Sequence, residues 1–204
     1  MTLAGLLVFV AAYALAVASP GPGIAALVAR VLARGLKGVG PYIAGFIVGD
    51  LAWFTVAAAG MAVLAQTLEG VFTLIRYAGA AYLLYIAWKL VTAPAAGLEP
   101  GAEPPPEGAA KAFLSSLALT LGNPKVIVFF MALLPTVVDL RRLTLAGALE
   151  IAVAITVVLF LVLSAYALAA ARARSLFRSA RAVRALNLGT GAVMAGAAVA
   201  VATR

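Results

Sequence analysis

The sequence predicts an all-α membrane protein: six transmembrane helices built as two inverted three-helix repeats, with the first helix of each half broken. Three observations predict it. Of the 204 residues, 65% are hydrophobic and 11% charged, with a mean hydropathy of +1.12. A water-soluble domain needs far more polar groups to cover its surface. The apolar residues are gathered in six runs of about 20 or more, the length a helix needs to cross a bilayer. Two of those runs are interrupted at corresponding places, by Ser19-Pro20-Gly21-Pro22-Gly23 and by Gly122-Asn123-Pro124-Lys125.

The first run is Leu3 to about Val28, with no charge before Arg30. The second, about Val39 to Gln66, carries one acid, Asp50. The third, about Val71 to Val91, has Arg76 near its start and Lys89 near its end. The fourth, about Ala112 to Leu134, contains Lys125. The fifth, about Leu143 to Ala171, has Glu150 near its start, and the sixth is about Val183 to Ala202. All six are apolar throughout rather than alternating, and too long for tilted strands, so they read as helices and not as barrel strands.

Between the third and fourth runs, Thr92 to Ala110 holds five of the ten prolines and three of the seven acids. Such a composition makes a flexible or polyproline-like linker, not a domain. The chain therefore divides into a first repeat (1–93), a cytoplasmic linker (94–110) and a second repeat (111–204). Three spans per half is an odd number, so the second half enters the membrane from the opposite side.

The net charge of +8 would suggest a nucleic acid in a soluble protein. Here it reads as topology. Ten basic residues, Arg30, Arg34, Lys37, Lys89, Lys111, Arg172, Arg174, Arg178, Arg181 and Arg184, fall on one expected side; Arg76, Arg141, Arg142 and Arg204 fall on the other. The positive-inside rule puts the first set in the cytoplasm and both termini in the periplasm. The run from Arg172 to Arg184 has a single aromatic, Phe177, among its five arginines, so it suits anionic lipid headgroups and no nucleic-acid partner is expected. Ala16-Val17-Ala18 resembles a signal-peptidase site, but no basic residue precedes the apolar stretch, as a signal peptide requires.

Proline removes a backbone donor and clashes with the preceding turn, so neither interrupted helix runs straight through. At the second break, Gly122 suits a left-handed position after a helix, Asn123 an N-cap and Pro124 a first helical residue. Gly21 and Pro22 suit the same restart in the first. A break at bilayer depth leaves backbone groups that need protein or water as partners, and each restart offers free N–H groups at the positive end of a helix dipole. Paired breaks point to a transporter with its site at the midplane; an ordinary proline kink in each helix is the plainer alternative.

Two charges lie deep in these runs. Asp50 needs a partner, a proton or water. It follows Gly45 and Gly49, a small-xxx-small stripe that admits another backbone, so it is read either as a functional acid or as a polar clamp in a packing seam. Lys125, in the first turn of a restarted helix, meets the unfavourable dipole end and wants an anion; Asp50, a substrate carboxylate and an interface reached by snorkelling are the candidates. Glu150 suits pairing with Arg141 or Arg142. Tyr82, Tyr85 and Trp88 suit an aromatic belt. Tyr13, Tyr42 and Trp53 suit either a cavity or packing. Ala192, Gly196 and Ala200 recur every four residues and suit a packing or homodimer face.

The breaks, together with Arg34-Gly35-Leu36-Lys37-Gly38, Gly45-xxx-Gly49-Asp50, Gly79-Ala80-Ala81-Tyr82-Leu83, Phe129-Phe130 and Leu134-Pro135, resemble the LysE/RhtB family of bacterial amino-acid exporters across nearly the whole chain, in the right order. The resemblance implies a six-span inner-membrane carrier driven by the proton gradient. Members of that family often place Asn or Asp after the Pro-Gly-Pro, where this chain has Gly23, which points to a ligand read mainly by backbone groups. No residue selects among the family's amino-acid substrates.

These readings combine into one expectation: an amino-acid exporter working by alternating access and proton antiport. Its substrate site comprises Pro20, Gly21, Pro22, Gly23, Gly49, Asp50, Asn123, Pro124 and Lys125. Backbone N–H groups and Lys125 hold the carboxylate, and Asp50 holds the ammonium or carries the coupling proton. No cofactor or metal is implied. A divalent-metal exporter is the rival, but metals want several carboxylates, His or Cys, and the chain has no His or Cys. A membrane enzyme or an assembly factor is the third reading; an enzyme would lack the usual hydrolytic groups.

Overall fold

Local chemistry sets the helix boundaries in the computed structural model. It describes residues 2–59, 107–140, 143–173 and 180–202, with positions 77, 81, 84, 85, 87–89, 91 and 92 between them. Helix α1 (Leu3–Ala18) starts where Thr2 accepts a hydrogen bond from the Gly5 N–H. It ends before the Pro-Gly cluster, and α2 (Pro22–Arg34) restarts at Pro22, with Gly21 as an extended N-cap. A turn then leads to α3 (Val39–Ala58) through Gly35 and Gly38, whose φ values of 66° and 70° favour residues without a Cβ.

In the second half, α4 (Ala109–Leu121) gives way to α5 (Pro124–Val128), a π-helical turn (Phe129–Leu133) and α6 (Leu134–Val137). Helix α7 (Leu145–Ala173) begins where Thr144 accepts from the Gly147 N–H, and α8 is Ala180–Ala202. The expected breaks are present. Helices α1 and α2 bend by 55°, and α4 and the segment Pro124–Met131 by 54°.

The second break differs from expectation in one detail. Gly122 is not left-handed; its φ is −88° and ψ 0°. The chain is turned instead by a tight Asn123 N–H to Thr120 carbonyl bond and by Asn123 itself adopting an extended conformation, so a left-handed residue is not needed. The π-helical turn was not foreseen. Pro135 offers no N–H to Met131 and crowds its carbonyl, and widening the preceding turn relieves both.

Helices α3 and α7 are each long and apolar enough to cross a membrane, and each bent pair passes the same test when taken as one span. That makes two to four spans among the described residues. The third predicted span and residues 94–106 of the linker lie largely or wholly outside them, as do Arg76, Tyr82, Arg141, Arg142, Arg174 and Arg178. Tyr85 and Trp88 are exposed, as an aromatic belt requires. Glu150 is exposed on α7.

The most extensive contact joins α3 to α4 across the two halves, and α7 packs on α1, α2 and α3. The α3 glycines explain the first. A Cβ on Gly45 would run into Ser116 Oγ and the Phe113 carbonyl, and one on Gly49 would lie 2.6 Å from Thr120 Cγ2. Two small residues four apart on α3 thus meet two small residues four apart on α4. The hydroxyls of Ser116 and Thr120 are satisfied by backbone carbonyls one turn back, so neither of these two hydroxyls is left bare in the seam.

Candidate functional site

The two breaks lie side by side and frame a cavity of about 60 Å³, room for a few waters by a measure of roughly 10–15 Å³ each. Its polar lining comes from both halves: Gly21 and Gly23 at the start of α2, Asp50 on α3, and Asn123 and Lys125 at the second break. Tyr13 adds a phenol from α1. The remaining walls are apolar, among them Ile24, Phe46, Val126, Phe130, Leu159 and Leu163.

Asp50 is 3% exposed, and the Tyr13 hydroxyl donates to its Oδ2 at 2.5 Å. Tyr13 is held in turn by aromatic packing, stacked on Phe9 at 5.6 Å and tilted against Phe129 at 5.2 Å. Lys125 donates through Nζ to the carbonyl of Ser19, the residue that closes α1. It lies within electrostatic reach of Asp50, but its hydrogen bond goes to the backbone. The neighbouring Ala18 carbonyl accepts from the Tyr166 hydroxyl of α7 at 2.7 Å. Carbonyls freed by the first break are therefore capped by side chains of the second half, which is how a broken helix is tolerated at depth.

This changes the electrostatic account of Lys125. The sequence places the cation at the unfavourable start of α5. In the fold it also reaches the carbonyl end of α1, where a helix dipole favours positive charge.

At the restarts, the Asn123 side chain accepts from the Lys125 N–H at 3.1 Å, with Pro124 first in α5. No side chain caps α2. The N–H groups of Gly23 and Ile24 thus sit at the cavity wall without an N-cap partner, and Pro22 has none to offer. The other expected site residues are placed as follows. Pro20 is exposed at the break and Pro22 is buried in the first turn of α2. Gly49 faces Thr120 in the α3–α4 seam. None of these three, nor Pro124, lines the cavity.

The LysE type translocator family matches residues 14–204. The chain belongs to that family. A translocator family agrees with the sequence reading of a carrier rather than an enzyme. Among curated relatives of this LysE type chain is a leucine efflux protein from Klebsiella pneumoniae, 31% identical over 125 residues, which cover 61% of this chain and 59% of the relative. Leucine efflux proteins from Salmonella choleraesuis and Salmonella typhimurium are each 34% identical over 122 residues, covering 59% of this chain and 57% of theirs. The match thus spans less than two thirds of those relatives' length. No solved structure matches.

The site contains residues that sequence reading did not assign to it. Tyr13 is 37 positions from Asp50, and Phe46, Phe130, Leu159 and Leu163 come from three different elements. Tyr13 had a signal, as a phenol in an otherwise apolar run. Phe130 stood in the Phe129-Phe130 motif; Phe46, Leu159 and Leu163 had no signal, because apolar side chains in apolar helices do not announce which face turns inward.

Proposed function

We propose that this LysE type translocator exports amino acids with apolar side chains, of about the size of leucine, across the bacterial inner membrane. The observation that carries the proposal is the cavity between the breaks. It joins a carboxylate, an ammonium and uncapped helix-start N–H groups to aromatic and branched aliphatic walls. An amino acid presents the complementary set. Its carboxylate suits Lys125 and the N–H groups of Gly23 and Ile24, with Asn123 beside them. Its ammonium suits Asp50, and its side chain suits the walls. The names of the relatives, leucine efflux proteins, agree with this.

Transport works by alternating access between two inverted repeats, with both termini in the periplasm. The near-equal bends support the repeat, as does reciprocal packing: α3 of the first half lies on the first helix of the second, and α7 lies on both pieces of the first broken helix. Proton antiport follows the same site. Asp50 bound to Tyr13, in a cavity where a substrate ammonium comes and goes, can hand a proton to the departing side. The metal-exporter reading has less to stand on: among the described residues, no three acidic side chains come together as a hard cation would need.

The test is leucine efflux from proteoliposomes for the wild-type chain, Asp50→Asn and Lys125→Ala. Both variants should stay monodisperse and lose most efflux. Wild-type rates in both overturn the site. Stabilisation by divalent metals but not by amino acids in a thermal-shift screen overturns the substrate class.

A further inference from the structure

We infer that Gly23 and Phe46 together select the substrate's side chain, with Gly21 assigned to the part common to all amino acids. The inference rests on the carrier reading above.

Gly23 is the second residue of α2 and Phe46 projects from α3; both line the cavity. A Cβ on Gly23 would sit 3.0 Å from Phe46 Cε1 and 3.5 Å from Cζ. The edge of the ring thus occupies the space that any side chain at position 23 would claim. With glycine there, the ring lies against the start of α2 and supplies an aromatic wall beside the N–H groups expected to hold the carboxylate.

The ring has little room to retreat. Phe46 is 5% exposed, and Tyr42, one turn earlier on α3, meets it edge-on at 5.3 Å and 80°. Tyr42 is backed in turn by the Arg30 guanidinium, 4.9 Å from its ring centre, and Arg30 is paired with Glu107. Gly23 and Arg30 are two turns apart on α2, so one helix supplies both the gap and the brace. Bulk added at position 23 must therefore push the ring toward the cavity or disturb Tyr42.

Gly21 is a contrast built into the same helix start. A Cβ there would lie 3.3 Å from Lys125 Cδ and 3.6 Å from Nζ, and it would meet no atom of Phe46 within contact distance. A substitution at Gly21 displaces the ammonium, which every amino acid uses alike. One at Gly23 presses first on the Phe46 ring, the wall that only the side chain meets, with Asn123 Nδ2 at an ordinary contact distance of 3.7 Å.

The experiment measures proteoliposome transport of leucine, alanine and phenylalanine by the wild-type chain and by Gly23→Ala, Phe46→Leu, Phe46→Ala and Gly21→Ala, each checked for monodispersity. The readout is the ratio of kcat/KM for leucine over alanine and over phenylalanine. A pocket change of about one methylene group shifts such a ratio by roughly tenfold or more. Gly23→Ala should lower the leucine-to-alanine ratio by about that factor, and Phe46→Ala should shift preference toward phenylalanine. Gly21→Ala should slow all three substrates together, with ratios within about twofold of wild type because the group it displaces contacts none of their side chains. If Gly23→Ala fails to fold, Phe46→Leu still decides, since its smaller wall must move the ratio. Unchanged ratios in transporting Gly23 and Phe46 variants overturn the inference alone. A wild-type chain that moves none of the three amino acids overturns the carrier reading and this inference with it.

Discussion

Lys125, in the first turn after the second break, caps the carbonyl of Ser19 at the first break. The two interruptions are thus parts of one structure, and the cation has a structural task besides any it performs on a substrate. Ser19 is exposed in the fold, so losing this bond costs the ordinary net worth of a hydrogen bond, about 0.5–1.5 kcal/mol, rather than the penalty of a buried orphan. Lys125→Met keeps most of the bulk and removes the donor. Its thermal unfolding in detergent, with no substrate present, should show a loss in that range. An unchanged melting temperature would mean that the Ser19 contact carries no stability.

The bond between Tyr13 and Asp50 makes a second, separable prediction. Tyr13→Phe removes one hydroxyl and keeps the ring that stacks on Phe9. Interhelical hydrogen bonds in membranes average about 0.6 kcal/mol and reach about 1.7. A carboxylate acceptor at 3% exposure belongs near the upper figure. Tyr13→Phe should therefore destabilise by about 1–2 kcal/mol, and pairing it with Asp50→Asn in a double-mutant cycle should show the two losses to be non-additive. Additive losses would show that the pair is not coupled.

How much of this was legible in the sequence depends on whether a residue acts locally. Pro22, Asn123 and Pro124 impose their turns through their own covalent chemistry, and the breaks appeared where they were expected. The close approach at Gly45 and Gly49 was legible because small residues four apart on a helix admit another backbone, but the spacing did not show that Gly49 belongs to the seam and not to the substrate site. Phe46, Leu159 and Leu163 were not legible, because a helix apolar all round gives no sign of its inward face. Gly122 was misread for a related reason: glycine permits a left-handed turn but does not require one, and Asn123 had already turned the chain. The Lys125 hydrogen bond went to Ser19 rather than to an acid because the break supplies unpaired carbonyls, an acceptor that a search among charged side chains overlooks.

The α3–α4 seam predicts a graded glycine series. At Gly45 an added methyl would meet the Phe113 backbone as well as Ser116, and backbone cannot rotate away. Gly45→Ala should cost about 1–3 kcal/mol as overpacking. Gly49→Ala, which meets only the Thr120 side chain, should cost less. Gly40→Ala, in the same helix with nothing within 4 Å, is the control; it should be neutral or stabilising by up to about 1 kcal/mol. Equal effects at all three positions, measured by thermal unfolding, would mean that the glycines matter through helix propensity and not through close approach.

Arg30 predicts a difference between two cations. Its guanidinium lies over Tyr42, pairs with Glu107, and approaches the carbonyls of Lys37 and Gly38 at 3.5 Å. A planar fork can address all of these at once, whereas an ammonium is a single point of charge. Arg30→Lys should therefore recover less than half of the stability lost in Arg30→Ala, despite keeping the charge. Full recovery would show that charge alone holds this corner.

The orientation is testable with little background, because the chain has no cysteine. Leu36, in the turn between α2 and α3, is 47% exposed, and Leu145, at the start of α7, is 80% exposed. By the positive-inside rule, the proposed orientation puts the first turn in the cytoplasm. Three predicted spans separate the two positions, an odd number, so Leu145 should lie near the periplasmic side. A membrane-impermeant maleimide applied to intact cells with a permeable outer membrane should label Leu145→Cys and should reach Leu36→Cys only after the inner membrane is opened. The reversed pattern would overturn the orientation and leave the span count standing. Labelling of both from one side would overturn the count itself, and with it the argument that an odd number of helices per half inverts the second repeat.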